Sequence, residues 1–300
     1  MKLVYFRGHV PNFGDELNTH MWQHLLPAGF LDEDERELFI GIGSILWNTF
    51  PKSARKYVIG SGYAGYTGQP DVHDGSWDIV FVRGPRTAQL LGIEPGKAIC
   101  DSAVLLRAIQ LPPPEPVFDV GFIPHYESLD RGLWNDACRL AGIRLIDPRD
   151  DVEKVISQIR GARMVITEAM HGAIVADALR TPWVAAKPLN PGHHAKWLDW
   201  SGALSLDVRF NNLRPSSLME LYVTMTGGRG DPDGRSGRLS RSPFARPVNK
   251  VLTHRAAAGL RQLAKVEPQL SQDSKIAEVT ERALAALETF VRSRQLSSAT

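Results

Sequence analysis

Cysteine is nearly absent from this chain: Cys100 and Cys138 lie far apart and form no CxxC pair. They read as small buried thiols, which excludes a disulfide framework and a zinc clamp. Long apolar runs are missing too. No stretch approaches the roughly 20 apolar residues of a membrane-spanning helix. The opening MKLVYFRGHVPNFGDEL has neither the apolar region nor the cleavage site of a signal peptide, so the expectation is a cytoplasmic protein. Charge of neither sign dominates: 35 Lys and Arg face 33 Asp and Glu, and a net charge of +2 argues for no nucleic-acid partner. The patterns GxxxxGK[ST] and GxSxG do not occur, and no GxGxxG follows the first strand-like run. Phosphate-loop, α/β-hydrolase and simple dinucleotide readings lose their main support.

What is present is an ordinary soluble composition, 43% apolar and 23% charged, over 300 residues. That length suffices for two domains. Short β-rich runs alternate with helical patterns in the first 110 residues. They are KLVYF (2–6), ELFIGIG (37–43), KYVIGSG (56–62), WDIVFVRG (77–84) and AICDSAVLL (98–106). Several are apolar at consecutive positions, as buried parallel strands are. Three end in glycine turns: Gly41 to Ser44, Gly60 to Gly62, and Arg83-Gly84. Ligands of open α/β sheets bind outside the carboxyl ends of the strands, so these turns mark an expected ligand rim.

Residues 112–116, PPPEP, fit no helix and no interior strand and read as a linker. The alternation restarts with VFDVGFIPHY (117–126), IRLIDPR (143–149), RMVITEAMH (163–171), PWVAAKP (182–188) and LSLDV (204–208). A helix is expected over 151–162, with Val152, Val155, Ile156 and Ile159 on one face. The expectation is an α/β protein with two Rossmann-like, doubly wound domains facing a cleft, 1–111 and 117–225. Residues 226–250 hold five Gly and three Pro, with six Lys or Arg against two Asp. They read as a flexible basic loop. Two helices are expected in 251–300. The second carries an apolar stripe of Ile276, Val279, Ala283, Leu287, Phe290 and Val291, the mark of a tail packed back on its own domain.

Three places carry candidate chemistry. The loop His9 to Asn18 enters a helix, and Asn12 or Asp15 suits its cap, with a tight turn at Gly14. It serves either as capping alone or as a site for an anion or sugar hydroxyls. Arg83 and Arg86 flank a helix start at Pro85, where two guanidiniums suit a phosphate or carboxylate; the plain alternative is surface salt bridges. His171 stands where a buried strand runs into a helix, with Glu168 close by in sequence. A helix start and a nearby carboxylate push an imidazole pKa in opposite directions, and either setting yields a proton donor or acceptor near neutrality. The plain alternative is a histidine satisfied by backbone. Two further histidine sets offer no metal site. His20 and His24 share a helix face, but Met21 stands where a zinc hydrolase needs Glu. His193 and His194 are adjacent and are expected to line a loop near Lys196, Trp197 and Trp200.

With these residues set out, the chain resembles the polysaccharide pyruvyl transferase family. The matching segments are Asn12-Phe13-Gly14-Asp15-Glu16-Leu17-Asn18, Gly41-Ile42-Gly43-Ser44-Ile45-Leu46, Gly60-Ser61-Gly62, Arg83-Gly84-Pro85-Arg86-Thr87, Cys100-Asp101-Ser102-Ala103 and Met170-His171-Gly172-Ala173. They stand in family order and span roughly residues 1–210. The resemblance implies a fold similar to that of GT-B glycosyltransferases and transfer of the pyruvyl group of phosphoenolpyruvate to a sugar, with phosphate released. It maps the family histidine on His171 and the family's rim arginine on Arg83. Several relatives carry arginine two residues before that histidine, where this chain has Ala169.

The resemblance thus implies a site with His171 as proton donor to the enol methylene, Arg83 as catalytic cation, and Asp15 or Glu168 orienting the acceptor. Arg86 and Lys187 would supply further positive charge. Asn12, Gly14, Gly43, Ser44, Gly60, Ser61, Gly62 and Asp101 would line the substrates. No metal and no cofactor beyond the co-substrate phosphoenolpyruvate is expected. The expected acceptor is a hexose of a lipid-linked oligosaccharide at the inner membrane face, with the basic loop a candidate for peripheral membrane contact. Two rival readings keep their place: a GT-B glycosyltransferase using a nucleotide sugar, and a non-catalytic saccharide-binding protein.

Overall fold

The computed structural model describes residues 1–188, 193–227, 230–231, 234–240 and 242–298. In chain order, β1 (Lys2–Val4), α1 (Phe13–Leu25), β2 (Glu37–Ile40), β3 (Arg55–Ile59), β4 (Trp77–Phe81) and α2 (Pro85–Leu91) come first. There follow β5 (Phe118–Ile123), α3 (Tyr126–Arg131), α4 (Trp134–Ala141), β6 (Arg144–Leu145), α5 (Val152–Gly161), β7 (Ala162–Thr167), α6 (Met170–Ala178) and β8 (Trp183–Ala186). The chain continues with α7 (His194–Ala203), β9 (Phe210–Asn211), α8 (Leu218–Thr226), α9 (Arg235–Ser240), α10 (Arg246–Leu263) and α11 (Asp273–Ser298). Both sheets are parallel, so the protein is α/β.

Two compact units divide the chain. The first comprises Met1–Leu111, Ala195–Val208 and Ser271–Thr300. Its sheet runs β1-β2-β3-β4, without a reversal of strand order. Ile40, Val58, Val82 and Leu91 are fully or nearly fully buried in its core. Helix α11 belongs here. Ile276, Val279, Ala283 and Leu287 of its stripe are all but fully buried, and Phe290 packs on Tyr57 and Phe39 with ring centroids 5.1 and 6.4 Å away. The tail thus returns to the N-terminal unit, while α10 stays with the second.

The second unit comprises Pro112–His194 and Arg209–Leu270. Its sheet runs β6-β5-β7-β8-β9. This is the doubly wound order 2-1-3-4-5, whose switch point lies between the first and third strands, here β5 and β7. Phe122, Trp134, Ile166, Val184 and Leu260 fill its core. The stripe of α5 is buried as the spacing predicts, and the Asp151 carboxylate caps that helix by accepting from Glu153 N at 2.9 Å. The proline run at 112–116 is tied to α5. Ser157 Oγ donates to Pro113 O at 2.5 Å, Arg160 donates to Pro112 O, and Glu115 N donates to Ser157 O at 3.0 Å.

Three sequence expectations change. AICDSAVLL forms no strand: Asp101 accepts from Ala103 N at 3.0 Å and starts a 3-10 helix, Ser102–Ala108. Its apolar residues are buried around a helical turn, and a short apolar run does not distinguish the two states. LSLDV forms no strand either. Ser205, at φ 52°, turns the chain at the end of α7, and the edge strand comes later at β9. Within 226–250, helix α9 and the turn Pro243–Ala245 replace the expected loop, and α10 begins at Arg246. Positions 228–229, 232–233 and 241 of that loop lie outside the described residues.

Candidate functional site

In the first unit, the carboxyl ends of β2, β3 and β4 bind one another. Gly62 N donates to Gly43 O at 2.9 Å, Arg83 N to Ser61 O at 3.0 Å, and Gly60 N to Phe81 O at 2.8 Å. The fully buried Ser61 hydroxyl donates to Gly41 O. Gly60 has φ 81°, and a Cβ there would run into Ser102; a Cβ on Gly62 would run into the Arg83 guanidinium. Gly60 and Gly62 thus allow close packing of the protein on itself.

Arg83 is the main correction. It was expected on the rim, and it is fully buried. Its Nε donates to Asp199 Oδ2 at 2.9 Å and its NH1 to Ser44 Oγ at 2.7 Å. Asp199, also fully buried, accepts from Thr87 N at 2.9 Å and Thr87 Oγ1 at 2.6 Å. The guanidinium charge is already balanced inside the unit, where α7 docks on the start of α2. Asp101 is corrected likewise: fully buried, it caps a 3-10 helix. Arg86 is exposed on α2.

At the entry to α1, Asn12 is the N-cap residue, but its side chain accepts no helix N–H. Its amide donates to Asp15 Oδ2 at 2.7 Å, and its carbonyl accepts from Asp15 N and Glu16 N at 2.9 and 3.0 Å. Asp15 is half-buried, Gly14 is buried, and the Asp15 carboxylate lies 3.9 Å from where a Gly43 Cβ would stand. Burial, and then the charge of Asp15, raise the Glu16 carboxyl above its ordinary pKa. Asn18, quoted above only as the end of a family segment, fastens this helix to the glycine turn. Its Oδ1 accepts from Ile42 N at 2.8 Å and Trp22 Nε1 at 3.0 Å, and its Nδ2 donates to Ile42 O and Asp15 O, both at 3.0 Å.

In the second unit the chain leaves β5 and β7 side by side at the switch point, and Glu168 joins the two exits. Its N donates to Ile123 O at 2.9 Å, and its Oε2 accepts from His125 N at 2.9 Å. This carboxylate, expected to orient the acceptor, is 2% exposed and holds the backbone at the β5 exit. Two residues later the rim opens. From Met164 to Ala178 every residue is buried except Ala169, the N-cap of α6, and His171, in its first turn. On the neighbouring strand β8, paired Ala185 to Thr167, the chain emerges at Lys187. This lysine is exposed, and its N donates to Asn211 O at 2.7 Å.

Beside this rim the His125 ring stacks on His193 at 4.6 Å and 28°. The expectation for His193 placed it near Lys196, Trp197 and Trp200. His125, Glu127 and His193 offer ligand atoms within 4.8 Å of one another. Two observations weigh against a cation there. Arg131 NH1 lies 3.2 Å from Glu127 Oε2, and near-parallel stacked rings do not converge their lone pairs. Behind α3, Glu220 is fully buried and accepts from Trp134 Nε1 at 2.6 Å, Ser216 N at 2.7 Å and Ser216 Oγ at 2.6 Å. Burial pushes its pKa up to about 7, against the pull of these donors and with help from the charge of Glu168.

Fold and rim together define an α/β protein with a histidine presented at the switch point of a doubly wound sheet. The family described as polysaccharide pyruvyl transferase matches residues 12–186. The chain is 34% identical over 315 aligned positions to the succinoglycan biosynthesis protein ExoV of Rhizobium meliloti (strain 1021), covering 97% of this chain and 99% of that protein. The chain belongs to the polysaccharide pyruvyl transferase family, and it is a transferase. Among the described residues no helix is long and apolar enough to cross a membrane.

Proposed function

We propose that the protein transfers the pyruvyl group of phosphoenolpyruvate to a hexose of an exopolysaccharide repeat unit carried on a lipid, forming a cyclic ketal and releasing phosphate. The observation that carries this reading is His171. It is a half-buried titratable side chain in an otherwise buried strand–helix junction, at the switch point where doubly wound sheets bind ligands. The GT-B-like arrangement of the two domains is part of the proposal, as is contact with the membrane that holds the acceptor.

His171 protonates the enol methylene, giving a methyl group and an oxocarbenium-like carbon stabilised by its phosphate oxygen. One sugar hydroxyl adds to that carbon and loses its proton. Phosphate leaves with the C–O bonding pair, and a second hydroxyl closes the ketal. One hydroxyl proton returns to His171 and the other leaves with phosphate or solvent. Lys187 meets one anionic end of the donor. Arg83 and Glu168 act as positioning residues, one beneath each rim.

The test is His171→Gln, which keeps volume and hydrogen bonding but transfers no proton. Phosphate release with phosphoenolpyruvate and lipid-linked oligosaccharides is expected to fall by about 10²–10⁴. Donor Kd and melting temperature should stay nearly unchanged. A variant that keeps most of its turnover makes the histidine structural and removes this mechanism.

A further inference from the structure

Between Asp233 and Glu267 the chain has eight Lys or Arg and neither Asp nor Glu, although the whole protein carries only +2. Much of this basic stretch is exposed on α9, the turn Pro243–Ala245 and α10 of the second unit. Large apolar side chains stand out beside it. Phe244 is 92% exposed, Leu239 65%, Val251 58% and Val248 44%. A lone exposed apolar residue is ordinary, but four on one continuous segment mark an interaction surface. On α10, Val248, Val251 and Arg255 recur at helical spacing on the outward face, whereas Leu252, Ala256 and Leu260 are buried. Phe244 projects from a turn whose next residue, Ala245, is anchored at 4% exposure.

A cavity of about 520 Å³ opens beside this face, with Arg246, Lys250 and His254 on its wall. The acids that line it are already engaged: Asp136 with Arg139 at 2.9 Å, and Asp130 with Arg149 at 3.1 Å. We propose that this face docks on an anionic lipid bilayer, with Phe244 and Leu239 entering the interface and Arg246, Lys250 and Arg255 meeting lipid phosphates. Apolar insertion flanked by cations is the chemistry of interfacial membrane binding. A protein partner would have to match an unbroken run of one charge sign. A nucleic acid would leave Leu239, Val248 and Val251 without a use.

The inference takes its biological sense from the lipid-linked acceptor proposed above, but it is tested without donor, acceptor or turnover. Failure here therefore leaves pyruvyl transfer standing, and failure there leaves this face intact. The experiment is sedimentation of the full chain with phosphatidylcholine vesicles, with and without phosphatidylglycerol. Binding is expected with the anionic vesicles alone, weakening as salt rises. Phe244→Ser should lower the partition coefficient about tenfold or more, and Lys250→Glu by at least about fivefold, with melting temperatures unchanged because both side chains are exposed. Equal sedimentation with both vesicle types, no binding to either, or indifference to Phe244→Ser overturns the proposal. So does self-association that Phe244→Ser abolishes in the absence of vesicle binding, which would assign the face to a second copy of the chain.

Discussion

Arg83→Ala separates the two roles this arginine has been given. As a rim cation its loss would weaken the donor and leave the fold alone. The structure instead buries it completely against a completely buried Asp199. Alanine would strand that carboxylate with only the Thr87 N–H and hydroxyl as partners, and would leave a gap under Gly62. Removing one partner of a buried ion pair costs about 3–5 kcal/mol, because the other charge stays behind unpaired. For a unit of about 150 residues each kcal/mol lowers the melting temperature by about 2–4 °C. The expected fall is therefore about 6–20 °C, read by calorimetry or circular dichroism. Replacing both partners with apolar residues, Arg83→Met with Asp199→Leu, should recover much of the loss, since an apolar pair often substitutes for a buried ion pair at little cost. An Arg83→Ala melting temperature within about a degree of wild type, together with a weaker phosphoenolpyruvate Kd measured well below the transition, would refute the argument.

Two further outcomes follow from the second unit. Glu220, raised to about 7 from an ordinary 4.5, favours folding most below the unfolded value and loses that contribution as pH rises to 7. The span is worth about 3 kcal/mol. The urea midpoint of wild type should thus fall between pH 5 and 7 relative to Glu220→Gln, and parallel pH profiles would contradict this. Lys187→Ala should weaken phosphoenolpyruvate binding by about 1.5–3 kcal/mol, the worth of a charge-assisted hydrogen bond, with no change in melting temperature because the side chain is exposed. Isothermal titration checks it, and an unaltered Kd would remove Lys187 from the donor site.

What the sequence made legible were local patterns. Consecutive apolar residues marked β2, β3, β7 and β8, and a four-residue spacing marked the buried face of α5. A strand running into a glycine–alanine helix placed His171 at a junction. What escaped depended on partners distant in sequence. Asp199 stands 116 residues from Arg83, so nothing near either residue announces their pairing. The one local trace is an acid between two tryptophans, Trp197 and Trp200, in a helix with no need for a charge. His125 follows a strand end just as His171 does, but its place at the switch point is visible only once β5 is known to lie beside β7. The glycine turns do stand at the carboxyl ends of β2, β3 and β4, but their use was not legible. Glycine permits close approach of backbone to a ligand or to the protein itself, and the sequence does not say which.

The two rims therefore differ in kind. In the first unit Ser61, Arg83 and Asp101 are fully buried and Ser44 is bonded to Arg83, while Asn12 and Asp15 are half-buried. The second leaves Ala169 and His171 half-buried and Lys187 exposed around the switch point. This distribution bears on the alanine at 169. With Arg83 paired to Asp199 and alanine at 169, the proposed mechanism turns to Lys187, exposed where the chain leaves β8, the strand paired to β7. A lysine is a point charge, unlike the two-pronged guanidinium that grips a carboxylate or phosphate along its edge. In the proposed mechanism it meets one end of phosphoenolpyruvate and leaves the methylene carbon to His171.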